Sequence, residues 1–237
     1  MSTFLLVHGA WHGAWCWREV VPRLEAMGHR AVALDLPGHG DDRTPIAQVT
    51  LQAYADRVCG ALDALTEPAI VGGHSMGGMV ITQAAEQRPE RTKALVYLCA
   101  FLPRNGESLL ELAQEDAGGL VLPNLVVAED GASATVRAEA IKDAFYADCS
   151  DEQVALARSR LVPQAMAPLA TPVAITEERF GRVPRVYIET RRDCAIPLAL
   201  QRKMHAASPC RSVVTMDTSH SPFFSAPGDL ASALAEV

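Results

Sequence analysis

A chain of 237 residues with 28 acidic and 21 basic side chains carries a formal charge of −7, which argues against nucleic acid and anionic membrane as partners. Its 49% hydrophobic content suits the core of one globular domain, and no run reaches the ~18 apolar residues of a membrane span. Six cysteines without C-x-x-C spacing, and an N-terminus with no basic region before its short apolar run, read as reduced thiols in a cytoplasmic protein.

Thr3–Val7 is a short continuous apolar run, the pattern of a strand buried on both faces. Apolar spacing at Trp17, Val20, Leu24 and Met27 predicts a helix, with Pro22 tolerable near its first turn and Gly28 as the stop. Arg30–Leu36 is the next strand, closed by PGHG. Thr50 can cap a helix that puts Leu51, Tyr54, Val58, Leu62 and Leu65 on one face. Ala69–Gly72 leads as a strand into the run GGHSMGG, and a helix follows from Ser75 to Arg88, where Pro89 ends it. Ala94–Phe101 is a further strand. Helices alternating with fully apolar strands imply an α/β fold with a mostly parallel, doubly wound sheet of about six strands.

After Pro103 the rhythm breaks. Residues 104–182 hold glycines, several prolines and helical segments expected at Ala134–Tyr146 and Glu152–Leu161. Alternation then resumes with the strand Arg185–Thr190, a helix from Ile196 to Ala207, the strand Ser212–Met216 and a helix from Pro227. The expected organisation is a core of residues 1–103 and 183–237, with 104–182 inserted as a helical cap over the sheet's carboxyl edge, where open α/β sheets bind ligands. An independent second domain is the weaker alternative, because the segment is too apolar and irregular to fold alone.

The chemistry centres on Gly73-His74-Ser75-Met76-Gly77, a G-x-S-x-G sequence between a strand and a helix. Such a corner exposes the Ser75 hydroxyl and aims the Met76 amide at the place where an oxyanion would form. Serine is unreactive at its own pKa, so an imidazole must take its proton as the oxygen attacks. His220, in the turn after Ser212–Met216, is the expected base. Asp193, just past Arg185–Thr190, is the expected acid that orients the imidazole. Glu189 lies inside the strand, and Asp217 has little chain with which to wrap around the ring. The order Ser75, Asp193, His220 is that of the α/β hydrolases. His8-Gly9-Ala10-Trp11, directly after the first strand, can supply the second oxyanion donor through the Ala10 N–H. His8 and His12 are spaced as metal ligands can be, but no carboxylate or third histidine accompanies them. Hydrogen bonds that order the loop are their expected role, and neither metal nor cofactor is implied.

The chain resembles the α/β-hydrolase superfamily, in particular its small branch of plant methylesterases and hydroxynitrile lyases with related bacterial esterases. FLLVHGAWHGAWCW, LEAMGHRAVALDLPGHG, GGHSMGG, YADCSDEQ and the Asp193 and His220 loops carry the likeness in order across nearly the whole chain. SHSPFFSAPGDL and IETRRDCAIPLALQ are similar to bacterial carboxylesterases that cleave bulky pyrethroid esters. The resemblance implies a serine carboxylesterase acting on small-molecule esters through an acyl-enzyme on Ser75, and a homodimer. The lyases carry lysine after the catalytic histidine and threonine after the histidine of the first-strand motif. Here Ser221 and Gly9 stand in those places, which favours ester hydrolysis. Lyase-like activity, a C–C bond hydrolase using the same triad, and a small-molecule receptor with slow or no turnover remain as alternatives. Trp11, Phe145, Tyr146, Leu161, Val162, Met166 and Ser221 are the candidate lining of the substrate pocket.

Overall fold

Short apolar segments become the strands of one sheet because burial on both faces rewards them and their backbone groups must pair with neighbours. In a computed structural model describing residues 1–115 and 118–237, the first half supplies β1 (Thr3–Val7), β2 (Arg30–Leu34), β3 (Ala69–His74) and β4 (Thr92–Leu98). Helices α1 (Val21–Ala26), α2 (Leu51–Asp63) and α3 (Gly77–Gln87) connect them. An intervening segment contributes α4 (Leu109–Gln114), β5 (Leu125–Val127), β6 (Ser133–Val136), α5 (Ile141–Phe145), α6 (Asp151–Arg160), β7 (Gln164–Ala165) and α7 (Met166–Ala170). The chain then returns to the sheet with β8 (Arg185–Thr190), α8 (Leu198–Ala207), β9 (Ser212–Met216), α9 (Pro222–Ser225) and α10 (Pro227–Ala235).

The six-stranded sheet has the order β2-β1-β3-β4-β8-β9, and every pairing in it is parallel. This is the α/β-hydrolase architecture, with the order reversing direction beside β1. At such a switch point loops from neighbouring strands diverge and leave a crevice at their carboxyl ends. Local chemistry sets the connecting helices. The Thr50 hydroxyl accepts from the Ala53 N–H at 3.0 Å to start α2, and Gly28, at φ 84°, turns the chain out of α1 towards β2. Ser108 with Glu111, and Ser150 with Gln153, form capping boxes that open α4 and α6. Among the described residues no helix is long and apolar enough to cross a membrane, and all six cysteines are free thiols.

The intervening segment departs from the helical expectation. Its strands pair antiparallel in the order β5-β6-β7, and Ala134–Tyr146 is not one helix but β6 followed by the single-turn helix α5. The sequence Ser133-Ala134-Thr135-Val136 alternates, burying Ala134 and Val136 and exposing Thr135, and its Leu125–Val127 partner is β-branched at two of three positions. Pairing with a strand whose residues lie seven to eleven positions away outweighs the helical tendency of the alanines. The helix expected at Glu152–Leu161 is α6, displaced by one residue.

Candidate active site

The turn between β3 and α3 is shaped by contact between backbones. Ser75 sits at φ 53°, a left-handed conformation that costs a non-glycine residue energy and needs surrounding support. That support is a set of backbone bonds: the Ser75 N–H donates to Leu98 O at 3.3 Å, while the N–H groups of Gly78 and Phe101 donate to Ser75 O at 3.0 and 3.1 Å. A Cβ at Gly73 would lie 2.6 Å from the Gly77 carbonyl oxygen, so the turn closes only on glycine there. The outcome is a half-buried serine whose side chain faces a cavity.

His220 and Asp193 meet from loops after β9 and β8. The His220 Nδ1–H donates to Asp193 Oδ2 at 2.7 Å, which leaves its Nε2 with a free lone pair. Both side chains are buried. The other Asp193 oxygen accepts from the Ala195 and Ile196 N–H groups, both at 2.8 Å, so the loop itself fixes the carboxylate. The serine turn packs against the histidine loop: His74 Nε2–H donates to the His220 carbonyl at 2.9 Å and their rings lie 4.5 Å apart. Glu189, by contrast, is committed elsewhere. It accepts from Arg202 at 2.9 and 3.2 Å, from Thr215 at 2.9 Å and from His205 at 3.2 Å. The Arg202 hydrogen bonds hold its carboxyl down to about 2. Asp217 is exposed and faces Arg192 at 3.5 Å.

Ala10 and Met76 line the same cavity as Ser75. The Gly9 carbonyl and the Ala10 N–H share one planar trans peptide, so fixing the first aims the second the opposite way. His8 Nδ1–H donates to Gly9 O at 2.8 Å, and its Nε2 accepts from the Leu36 N–H at 3.1 Å. His12 Nδ1–H donates to Ala10 O at 2.7 Å, and its Nε2 accepts from the Tyr146 hydroxyl at 2.6 Å. Burial drives both imidazoles to the neutral form: His8 is lowered well below the usual range, and His12 to about 4. Each histidine thus donates to a carbonyl inside the loop and accepts from a residue outside it, the ordering role its position suggested.

The cavity, of about 50 Å³, is walled by side chains such as Phe101, Leu109, Val121, Leu125, Leu169 and Ile196, with no charged residue among the described residues of its lining. Of the seven residues expected there, Trp11 and Phe145 line it, and five do not. Tyr146 is fully buried behind the wall, its hydroxyl on His12. Val162 uses its backbone, donating to Trp11 O at 3.0 Å. Leu161 and Met166 pack, half-buried, against the core. The Ser221 side chain is buried without a hydrogen-bond partner at the start of α9.

The chain matches the family described as "Alpha/beta hydrolase family" over residues 4–233. It belongs to the α/β hydrolases. It is 37% identical to salicylic acid-binding protein 2 of Nicotiana tabacum over 84% of this chain and 82% of that one. It is 33% identical to a pyrethroid hydrolase of Sphingobium wenxiniae over 100% of this chain and 87% of that one. Putative methylesterase 11 of Arabidopsis thaliana, chloroplastic, is 32% identical over 99% of this chain, which spans 63% of that longer protein. Among solved structures it is similar to a methylesterase from Arabidopsis, with a TM-score of 0.88 at 26% identity over 100% and 98% of the two chains. A pyrethroid hydrolase structure superposes with a TM-score of 0.86 at 30% identity over 99% and 96%.

Three residues of this α/β hydrolase's site escaped the sequence reading. Gln201 is fully buried on α8; its amide donates to Asp193 Oδ2 at 3.3 Å and Ile196 O at 2.7 Å, and its oxygen accepts from the Thr190 N–H at 3.1 Å. Thr190 itself donates to Asp193 Oδ2 at 3.1 Å. A polar residue among the buried Leu200 and Met204 of one helix face was the signal available for Gln201. Cys99, third of the three, gathers with His74 and His220 so that their ligand-type atoms lie within 4.8 Å of one another. Both the His74 Nε2–H and the Cys99 thiol point at one atom, the His220 carbonyl oxygen, the thiol at 3.5 Å. Burial pushes that thiol's pKa well up, so the group is a hydrogen-bonded set around a carbonyl.

Proposed function

We propose that this α/β hydrolase is a serine carboxylesterase that cleaves small to medium hydrophobic esters through an acyl-enzyme on Ser75. The observation that carries the reading is the 2.7 Å His220–Asp193 hydrogen bond beside a serine held at φ 53° on the wall of a cavity whose described lining is otherwise apolar. His220 Nε2 takes the Ser75 proton as the hydroxyl oxygen attacks the ester carbonyl, and Asp193 favours the imidazolium that results. The N–H groups of Ala10 and Met76 receive the charge developing on the carbonyl oxygen. The imidazolium then protonates the departing alcohol, and a water activated by His220 releases the acid. The inserted segment 104–182 serves as the cap whose apolar side chains select an acyl or alcohol group without charge. The methylesterase and pyrethroid-hydrolase names of its relatives support ester chemistry, and the choice of ester follows from the cavity.

The test is a panel of aryl, alkyl and pyrethroid-type esters assayed with wild type and Ser75→Ala. Hydrolysis that disappears in Ser75→Ala, with a fluorophosphonate adduct mapped to Ser75 by mass spectrometry, is the expected result. Full activity in the variant, or an adduct elsewhere, overturns the mechanism. Sedimentation of the same preparation tests the homodimer.

A further inference from the structure

Tyr146 and Asp148 stand at opposite sides of one tight turn. The Cys149 N–H closes it on Tyr146 O at 3.0 Å, and the turn is held between α5 and the capped start of α6. From one side the Tyr146 hydroxyl reaches His12, whose other nitrogen holds the Ala10 carbonyl. From the other side Asp148 accepts from the Ser219 N–H at 2.8 Å and from the Ser219 hydroxyl, while Arg192 lies 3.5 Å away. Ser219 precedes His220, and Arg192 precedes Asp193. In the first turn of α6, Gln153 donates to Phe224 O at 2.9 Å and ties the same helix to the segment after His220. A single turn of the inserted segment therefore touches the loops that carry the oxyanion donor, the base and the acid.

We propose that this turn is a two-headed brace in which Tyr146 and Asp148 are positioning residues. Tyr146 acts through His12 on the loop that presents the Ala10 N–H, and Asp148 acts through Ser219 on the loop that presents His220. The inference rests on the esterase reading and adds to it a function for the insertion beyond covering the cavity. The physical reason is that loops at a sheet edge have few contacts of their own, whereas catalysis needs donors and base fixed to within a fraction of an ångström. Without the Tyr146 hydroxyl, the His12 ring loses the hydrogen bond that sets its tilt, and its bond to the Ala10 carbonyl loses its fixed direction. Without the Asp148 carboxylate, the Ser219 N–H and hydroxyl lose their common acceptor, and the His220 backbone is left with its bonds from His74 and Cys99 but without the anchor on its amino-terminal side.

The variants Tyr146→Phe, Asp148→Ala and Asp148→Asn test this with p-nitrophenyl butyrate as the probe. Tyr146→Phe and Asp148→Ala should each lower kcat roughly tenfold with KM within about twofold, because the lost interaction acts in the transition state. Affinity of Tyr146→Phe for an aryl trifluoromethyl ketone, which forms an oxyanion on Ser75, should fall by the same factor as kcat/KM. Asp148→Asn keeps an oxygen to accept from the Ser219 N–H and should recover most of the kcat lost in Asp148→Ala. A lower melting temperature with kcat held within twofold makes the turn merely structural and overturns the proposal. A raised KM at unchanged kcat makes Tyr146 a pocket residue and overturns it as well. If Asp148→Ala does not fold, Tyr146→Phe and Asp148→Asn decide. Ser75→Ala run in parallel separates the two readings: persistent hydrolysis there sinks the acyl-enzyme on Ser75, whereas loss there with fully active brace variants sinks only the brace.

Discussion

The carboxyl edge of the sheet and the chamber above it are both buried, yet they are built from opposite materials. At the edge, Asp193 is surrounded by donors from Thr190, Ala195, Ile196, Gln201 and His220. In the chamber, Leu109, Val121, Leu125 and Leu169 offer carbon alone. Buried polar groups are tolerated only where hydrogen bonds replace water, so the edge can hold a carboxylate against an imidazole. The chamber can discriminate by shape and desolvation, and little else. On the proposed esterase mechanism chemistry and selection are separated in space, and substitutions in the two regions should fail in different ways.

The largest effects belong at the edge. Ser75→Ala and His220→Ala should each lower ester turnover by roughly 10³–10⁶, and the double variant should lose little more because the residues act as a unit. Multiplicative losses in the double variant, measured by steady-state kinetics, would break the comparison. Asp193→Asn should cost up to roughly 10⁴ by favouring the wrong imidazole tautomer. Asp217→Asn and Glu189→Gln should stay within a few-fold of wild type in kcat, since their carboxylates engage Arg192 and Arg202 rather than the His220 ring. A crippled Asp217→Asn beside a nearly silent Asp193→Asn would reverse the assignment.

Gly9 joins the two regions. A Cβ there would lie 2.8 Å from Ser75 Cβ and 2.9 Å from His74 Nδ1, so Gly9→Thr must displace the serine turn or the oxyanion loop. A fall in kcat of roughly 10² is expected, the size of one lost oxyanion donor. Wild type, with the uncharged Ser221 after His220, should release no cyanide from mandelonitrile above the uncatalysed rate. Cyanide release that vanishes in Ser75→Ala would instead favour lyase chemistry. In the chamber, Val121→Asp should raise KM for an aryl ester roughly tenfold with kcat little changed, because a carboxylate on the wall must be desolvated when substrate binds.

The smallest effect is on stability against pH. His12 is lowered from 6.5 to about 4, and His8 and His74 are lowered too, so between pH 6.5 and 4 the unfolded chain binds protons that the folded chain refuses. Stability should therefore rise with pH through that window and be lost as pH falls through it. Glu189 extends the trend: held at about 2 against 4.5 when free, it stabilises above pH 4.5 and loses that contribution as pH falls towards 2. Chemical denaturation of wild type and Glu189→Gln at pH 7, 5 and 3.5 should show the variant less sensitive below pH 4.5; parallel curves would remove Glu189 from the account.

The sequence by itself determined the repeating strand and helix pattern, the glycine-lined turn at Ser75 and the order of the three candidate catalytic residues. Each is written in neighbouring residues: β8 and β9 are bounded as their apolar runs are, and the Ser75 turn needs glycine where its backbone passes another. Asp193 was already the expected acid from its place after β8, and only the tertiary structure brought out what occupies Glu189, because partners such as Arg202 come from other elements. It also turned Ala134–Val136 into a strand and sent Tyr146 to His12 rather than into the cavity. Those outcomes depend on groups more than a hundred residues away in the case of His12, and a local pattern holds no information about a partner that only folding brings near.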